Sequence, residues 1–284
     1  MTQSPIPLLS VRNLRVVYPG EEGDFVAVRK ISFTLGRERL GIVGESGSGK
    51  STTGRAIMGL VAAPGRVEAD EMRLGEVDLL RLDERGFRRL RGKRVAMILQ
   101  DPKYSLDPVM SVGYQIAETH RCHFGSSPLA ARAATLEMLS AVYIRDPERV
   151  YELYPHQVSG GMGQRVMIAM MLIAGPDLLI ADEPTSALDV TVQHQVLAIM
   201  DDLVRSRGMG LILISHNLHL VSAFCDRVLV MYAGHVVETC NASELAAARH
   251  PYTRGLLASL PELGRRRAEL PQLQRDPAWA ADAS

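Results

Sequence analysis

The chain has 284 residues, 46% hydrophobic and 23% charged, a balance that suits one large domain or two small ones with a sizeable core. Lys and Arg (32) equal Asp and Glu (32), so no global charge argues for a nucleic-acid or acidic-surface partner. The start MTQSPIPLLSVRNL lacks the basic segment and apolar core of a secretion signal, and runs such as VAMIL and GLILI are too short to span a bilayer. A cytosolic chain is expected. Its cysteines, Cys122, Cys225 and Cys240, fit no paired or zinc-binding spacing, which suits a reducing compartment without a disulfide frame.

From the N-terminus, LLSVRNLRVVYPGEEGDFVAVRKISFTL reads as two β runs joined by a turn at 19–24, part of an antiparallel sheet. Four short apolar runs follow: RLGIV (39–43), VAMIL (95–99), DLLIA (177–181) and GLILI (210–214). Each stops at a polar residue, and most are separated by helical patterns. That is the texture of buried parallel strands in an α/β sheet, whose ligands bind beyond the carboxyl ends of the strands. Between the second and third runs, SVGYQIAETHRCHF and PLAARAATLEMLSAVY are helix-like and predict an inserted helical subdomain at about 103–172. The first 240 residues read as one domain and 241–284 as a C-terminal extension. In the extension SELAAARH and PYTRGLLASL read as short helices, the second begun by Pro251 at a favoured first position. Beyond Pro261 the Pro-, Ala- and charge-rich sequence predicts a loosely attached, flexible tail.

The polar residues at the strand ends carry the chemistry. GESGSGKST (Gly44, Glu45, Ser46, Gly47, Ser48, Gly49, Lys50, Ser51, Thr52) matches G-x-x-x-x-G-K-[ST], follows a strand-like run and opens a helix-like one. Gly47 and Gly49 let the backbone curl into a nest of N–H groups around phosphates. Lys50 would reach the β- and γ-phosphates, and Ser51 would offer its hydroxyl to Mg²⁺. In LLIADEP, Asp182 is placed to anchor that metal and Glu183 to act as general base on an attacking water. Gln100 ends the VAMIL run and His216 follows GLILIS, so both are expected on the same sheet edge, orienting water and γ-phosphate, with Gln100 also near the metal. Tyr18, with Phe25 as competitor, could stack on a nucleobase. Ser159, Gly160 and Gly161 precede an apolar helix expected to begin near Met162, whose exposed N–H groups make a second anion site. A second phosphate-binding helix end is surplus in a monomer; it makes sense if it serves a nucleotide held by a partner.

Together these residues resemble the ATPase subunits of ABC transporters. Gly44 to Thr52 resembles their Walker A, Gln100 their Q-loop, VSGGM their signature, LLIADE their Walker B, SALD (186–189) their D-loop and His216 their switch histidine, all in the family's order. No kinase, GTPase or recombinase ATPase shares that full set. The resemblance covers roughly residues 8 to 260. It implies a P-loop NTPase with a mainly parallel α/β core, an N-terminal antiparallel β subdomain and an inserted helical subdomain. It also implies ATP and Mg²⁺ as ligands, and two ATPase subunits facing head to tail with Asp189 crossing the interface. Two membrane permease subunits and, indirectly, an external substrate-binding protein complete the assembly, at the cytoplasmic face of the membrane and without nucleic acid.

QDPKYSLDPVMSVGYQI, YPHQVSGGM, DEPTSALDVTVQ and HPYTRGLLASLP are similar to the dipeptide, oligopeptide and nickel importer branch, whose systems pair two different ATPase subunits. Two features depart from that branch. No cysteine follows Cys240, so no iron–sulfur cluster is expected, and Gly163 replaces a larger polar residue, which would loosen the helix start. Within the branch, nickel or a metal chelate is the alternative cargo to peptides. A soluble switch ATPase acting on DNA or ribosomes is the alternative of another class, but it would bring two cassettes or long coiled-coil arms, and this chain has neither. HRCHF (120–124) does not match metal-ligand spacing. RGFRRLRGKR (85–94) reads as a solvated face, and Met162, Met167, Met170 and Met171 as core.

Overall fold

The computed structural model describes residues 6–99, 105–185, 189–259, 276 and 279. In chain order the elements are β1 (Leu9–Tyr18), β2 (Phe25–Leu35), β3 (Arg39–Val43), α1 (Lys50–Ile57), β4 (Arg66–Glu68), β5 (Glu71–Leu74), β6 (Val77–Asp78), α2 (Glu84–Leu90), β7 (Val95–Ile98) and α3 (Val112–Phe124). There follow α4 (Pro128–Ala141), α5 (Pro147–Glu152), α6 (Gly160–Leu172), β8 (Leu178–Asp182), α7 (Val190–Arg207), β9 (Gly210–Ser215), α8 (Leu218–Phe224), β10 (Arg227–Tyr232), β11 (His235–Asn241) and α9 (Pro251–Ala258). The chain forms two compact units, one from 1–82 with 212–284 and one from 83–211.

In the first unit the two N-terminal β runs pair antiparallel as expected, from Leu9 opposite Leu35 to Tyr18 opposite Phe25. Their alternation sends Leu9, Val11, Leu14, Val16, Val28, Ile31 and Leu35 into the core. β1 also pairs β4 and β5, and β5 pairs β6, completing an antiparallel sheet. The RLGIV run is β3, buried from Leu40 to Val43 and parallel to β10, with Leu40 opposite Arg227 and Val43 opposite Val230. Burial on both faces explains its unbroken apolar pattern. β10 turns back antiparallel into β11, a hairpin that the sequence analysis did not single out.

The second unit holds the helical insertion. Each of its helices begins on a side chain that accepts an otherwise orphaned N–H: Ser111 from Tyr114 for α3, Ser127 from Ala130 for α4, Asp146 from Arg149 for α5 and Ser159 from Met162 for α6. Pro128 and Pro147 occupy first helical positions, where a missing N–H does no harm. β7 and β8 run parallel, Val95 opposite Leu178, and every residue of both is buried. The Arg94 carbonyl accepts from the N–H groups of Asp177 and Leu178, and the Arg94 guanidinium donates to the Asp177 carboxylate, which fixes the register at their starts. β9 starts in this unit, where Gly210 N–H donates to the Asp177 carbonyl, and the chain re-enters the first unit along it.

Two expectations need amendment. Helix α6 begins at Gly160 rather than near Met162, because Ser159 caps it and both glycines take helical geometry in the first turn. Gly163 lies in the first turns of the helix, its N–H donating to the Ser159 carbonyl at 2.8 Å. Most of 261–284 lies outside the described residues, but Trp279 is not loosely attached. Its ring packs against Tyr232, Tyr252 and His250 at centroid distances of 5.8, 5.9 and 6.4 Å. No helix among the described residues is long and apolar enough to cross a membrane.

Candidate functional site

In the first unit, β3 delivers the chain into the loop Gly44–Gly49, and the loop opens α1. Gly47 and Gly49 have φ of 81° and 98°, a region that side-chain-bearing residues rarely occupy. Gly49 also tolerates nothing larger, since a Cβ there would lie 2.5 Å from the Ala27 carbonyl oxygen. As the N-terminal cap of α1 it supplies no side chain, and the first turn carries no acidic residue. The leading N–H groups therefore point at a site suited to an anion. Lys50 is 6% exposed, and its ammonium donates to the Gly44 carbonyl (2.8 Å), the Glu45 carbonyl (2.7 Å) and Ser48 Oγ (3.3 Å). The loop's own oxygens thus hold the cation over the nest. Ser51 and Thr52 follow in the first turn, half-buried, while Ser46 is exposed on the loop.

His216 lies just past β9 and is exposed. Its backbone is pinned on the downstream side, where Asn217 N–H donates to Ser215 Oγ and Asn217 Oδ1 accepts from Leu220 to start α8. Tyr18, half-buried at the end of β1, lies over Gly65, where an added Cβ would sit 2.7 Å from the Tyr18 ring. Its cross-strand partner and competitor Phe25 is 63% exposed. Gln100 falls outside the described residues.

In the second unit, Asp182 is the last residue of β8 rather than the first beyond it, and it is 6% exposed. Glu183 follows with φ of 49°, a left-handed conformation that costs a residue with a Cβ about 1–3 kcal/mol and persists only where the surroundings impose it. One of those surroundings was not foreseen in the sequence. Gln164 on α6, 1% exposed, donates from Nε2 to the carbonyl of Pro184, the next residue. The signature helix and the carboxylate turn are thereby joined. A buried glutamine in an apolar helix was the available signal, since such an amide must find a partner.

Ser159, Gly160 and Gly161 form the start of α6, with Ser159 Oγ accepting from Met162 N–H at 3.3 Å. A Cβ at Gly160 would meet nothing within 4 Å, so that face is open to an approaching ligand. Gly161 instead packs on α7, where a Cβ would lie 2.8 Å from Val192 Cγ1. Asp189 caps α7, its Oδ1 accepting from Val192 N–H at 3.0 Å. Asp189 thus has a local role in its own chain that the expectation of a contact across an interface did not include. Residues 186–188 of the SALD segment lie outside the described residues.

The discounted features have local partners of their own. His120 shares a hydrogen bond with Ser126 Oγ and packs tilted against the Phe124 ring, and no cluster of metal-ligating side chains occurs among the described residues. In the basic segment, Arg91 pairs with Glu84 at 2.7 Å. Cys225 is buried beside Gly41, and burial pushes its thiol up to about 12.

Comparison with known proteins shows which family the chain resembles. Residues 28–186 match the family described as ABC transporter. The chain is 48% identical over 269 residues to the dipeptide transport ATP-binding protein DppD of Haemophilus influenzae, spanning 94% of this chain and 82% of that protein. It is 45% identical over 281 residues to the oligopeptide transport ATP-binding protein OppD of Salmonella typhimurium, spanning 97% and 84%. Among solved structures, the dimeric bacterial ABC transporter cassette MJ0796 superposes with a TM-score of 0.74 at 24% identity, over 82% of this chain and 98% of that one. The cbiO1 protein of Clostridium perfringens, part of the cbiONQ transporter complex, superposes with a TM-score of 0.70 at 26% identity, over 85% and 91%.

Proposed function

The chain belongs to the ABC transporter family, and on that footing we propose that it is the ATP-hydrolysing subunit of an importer that carries di- or oligopeptides through a separate membrane permease. The observation that carries the reading is the phosphate loop, with Lys50 held over a nest of N–H groups at the start of α1. The peptide cargo rests on the names of the relatives, which are dipeptide and oligopeptide transport proteins. Residues 1–240 form the ATPase domain, with the helical subdomain inserted, and 241–284 the extension.

ATP lies with its phosphates in the Gly44–Thr52 loop and its base on Tyr18. Lys50 leaves the loop carbonyls for the β- and γ-phosphates. The Ser51 hydroxyl, the Asp182 carboxylate and the Gln100 side-chain oxygen are hard oxygen donors that would hold Mg²⁺, which would supply charge neutralisation to the phosphates. Glu183 accepts the proton of a water as its oxygen attacks the γ-phosphorus, and the bond to the β-phosphate oxygen breaks to leave ADP and phosphate. His216 donates to the departing γ-phosphate. Ser159, Gly160 and Gly161 contact the γ-phosphate held by the opposing ATPase subunit, a paralogue or a second copy, so hydrolysis follows only when the pair closes.

The permease docks on the helical subdomain, where a groove of about 440 Å³ is lined by Tyr143, Ile144, Val150, Leu153, Met162 and Arg165. The protein is then peripheral at the cytoplasmic face of the membrane. The test is to assemble the chain with its permease and measure ATPase activity with binding protein loaded with dipeptide, oligopeptide or nickel. Stimulation by a peptide-loaded protein is expected; stimulation by nickel alone would overturn the cargo. Glu183→Gln should abolish turnover and trap the closed, ATP-bound pair, and near-normal hydrolysis would remove Glu183 from its role.

A further inference from the structure

The C-terminal extension reaches the phosphate loop. Tyr252, at the second position of α9, is fully buried, and its hydroxyl accepts the backbone N–H of Glu45 at 3.0 Å. The segment before it is fixed by its own bonds. The Glu238 carboxylate accepts from the N–H groups of Arg249 (2.6 Å) and His250 (3.4 Å), and His250 Nδ1 accepts from Tyr252 N–H (3.2 Å). The Tyr252 ring lies 4.6 Å from the Tyr232 ring, with Trp279 against both. Tyr232 ends β10, and two residues on, Gly234 N–H donates to the Ser48 carbonyl. The loop is thus gripped at two peptides, one near its start by Tyr252 and one near its end by the β10–β11 turn.

We propose that Tyr252 is a positioning residue for ATP binding, its hydroxyl holding the Glu45 peptide in place when Lys50 turns to the phosphates. The Lys50 ammonium here donates to the Gly44 and Glu45 carbonyls. Bound nucleotide competes for that ammonium, and as it turns away both carbonyls lose a strong, charge-assisted donor. The Tyr252 bond is on the N–H side of the Glu45 peptide and survives the exchange. It therefore matters more with nucleotide bound than without, and its loss weakens ATP rather than only the fold. The ring stack behind it supplies the rigidity that such a contact needs. This rests on the reading of 44–52 as the ATP phosphate loop.

Tyr252→Phe keeps the ring and removes only the hydroxyl. On the purified full chain, the Kd for ATP with Mg²⁺ should rise by about twofold to fivefold, because the bond exists without nucleotide too and only its added worth is lost, with one whole neutral hydrogen bond as the upper figure. In the assembled transporter KM for ATP should rise in step while kcat stays within about twofold, a split that a general loss of structure would not give. The melting temperature of the variant, recorded on the same preparations, should fall by no more than roughly 2–4 °C, the shift that about 1 kcal/mol gives in a domain of this size. Equal Kd values for variant and parent would overturn the role of Tyr252, as would a fall in kcat with Kd unchanged. A parent chain that binds no ATP would overturn the phosphate-loop reading, and this proposal with it.

Discussion

Replacing Gln164 with leucine removes one hydrogen bond and little volume, and the structure says where the loss should be felt. Gln164 is 1% exposed, and its amide donates to the carbonyl of Pro184, itself buried immediately after the left-handed Glu183. Leucine fills nearly the same space, so the cavity contribution is small. The uncompensated burial of the Pro184 carbonyl costs about 1–3 kcal/mol. At roughly 2–4 °C per kcal/mol for a domain of this size, the melting temperature should fall by roughly 2–12 °C. A second effect separates this bond from ordinary packing. Glu183 holds an unfavourable backbone only because its neighbours impose it, and freeing Pro184 lets it relax towards commoner geometry. Turnover should then fall by about tenfold or more, while KM for ATP stays near that of the parent, because the phosphate loop lies on other elements. Calorimetry and steady-state ATPase on the assembled complex measure both. A variant that melts lower yet turns over normally would refute the claim that Gln164 holds the catalytic turn; one that melts normally would refute the claim that its bond matters.

Gly161→Asp should leave the ATP affinity of the isolated chain within about twofold yet abolish turnover of the assembled pair, since the new side chain meets Val192 and the opposing phosphate rather than the chain's own loop; collapse of the isolated chain's affinity would refute the trans-acting assignment. Asp189→Asn should keep the α7 cap and its stability while Asp189→Ala loses about 1 kcal/mol in denaturant unfolding, because both Asp and Asn side chains accept the Val192 N–H. Cys225, whose thiol ordinarily titrates near 9 and is pushed to about 12, should react with a thiol reagent at pH 8 only after unfolding, whereas exposed Cys122 reacts at once. The sign follows from the raised value: between pH 9 and 12 the unfolded chain has released a proton that the folded chain retains, so stability contributed by this group falls as pH rises through that window.

The buried strands were legible because burial on both faces writes a continuous apolar run. RLGIV, VAMIL, DLLIA and GLILI each lie within a residue of β3, β7, β8 and β9. Strands β4 to β6 were not, since RVE, EMRL and VD are short and partly exposed, and only pairing with β1 or with each other makes them strands. The glycine–lysine loop could be read because its chemistry is consecutive in the chain. The conformation of Glu183 and the partners of Gln164 and Tyr252 could not, because each depends on a contact between distant segments. Tyr252 is the clearest case: HPYTRGL announces a helix start with Pro251 at its head, yet nothing in those letters says that the hydroxyl meets a peptide 207 residues away.

The chain contains a single tryptophan, and that ring sits edge-on to Tyr232 and tilted against Tyr252, both at under 6 Å. Light absorbed by Tyr232 or Tyr252 will pass to Trp279 by resonance transfer at such a separation, so the chain's indole emission reports one corner of one unit and no other. A shift in that emission during titration or unfolding is a local optical signal, available without any label.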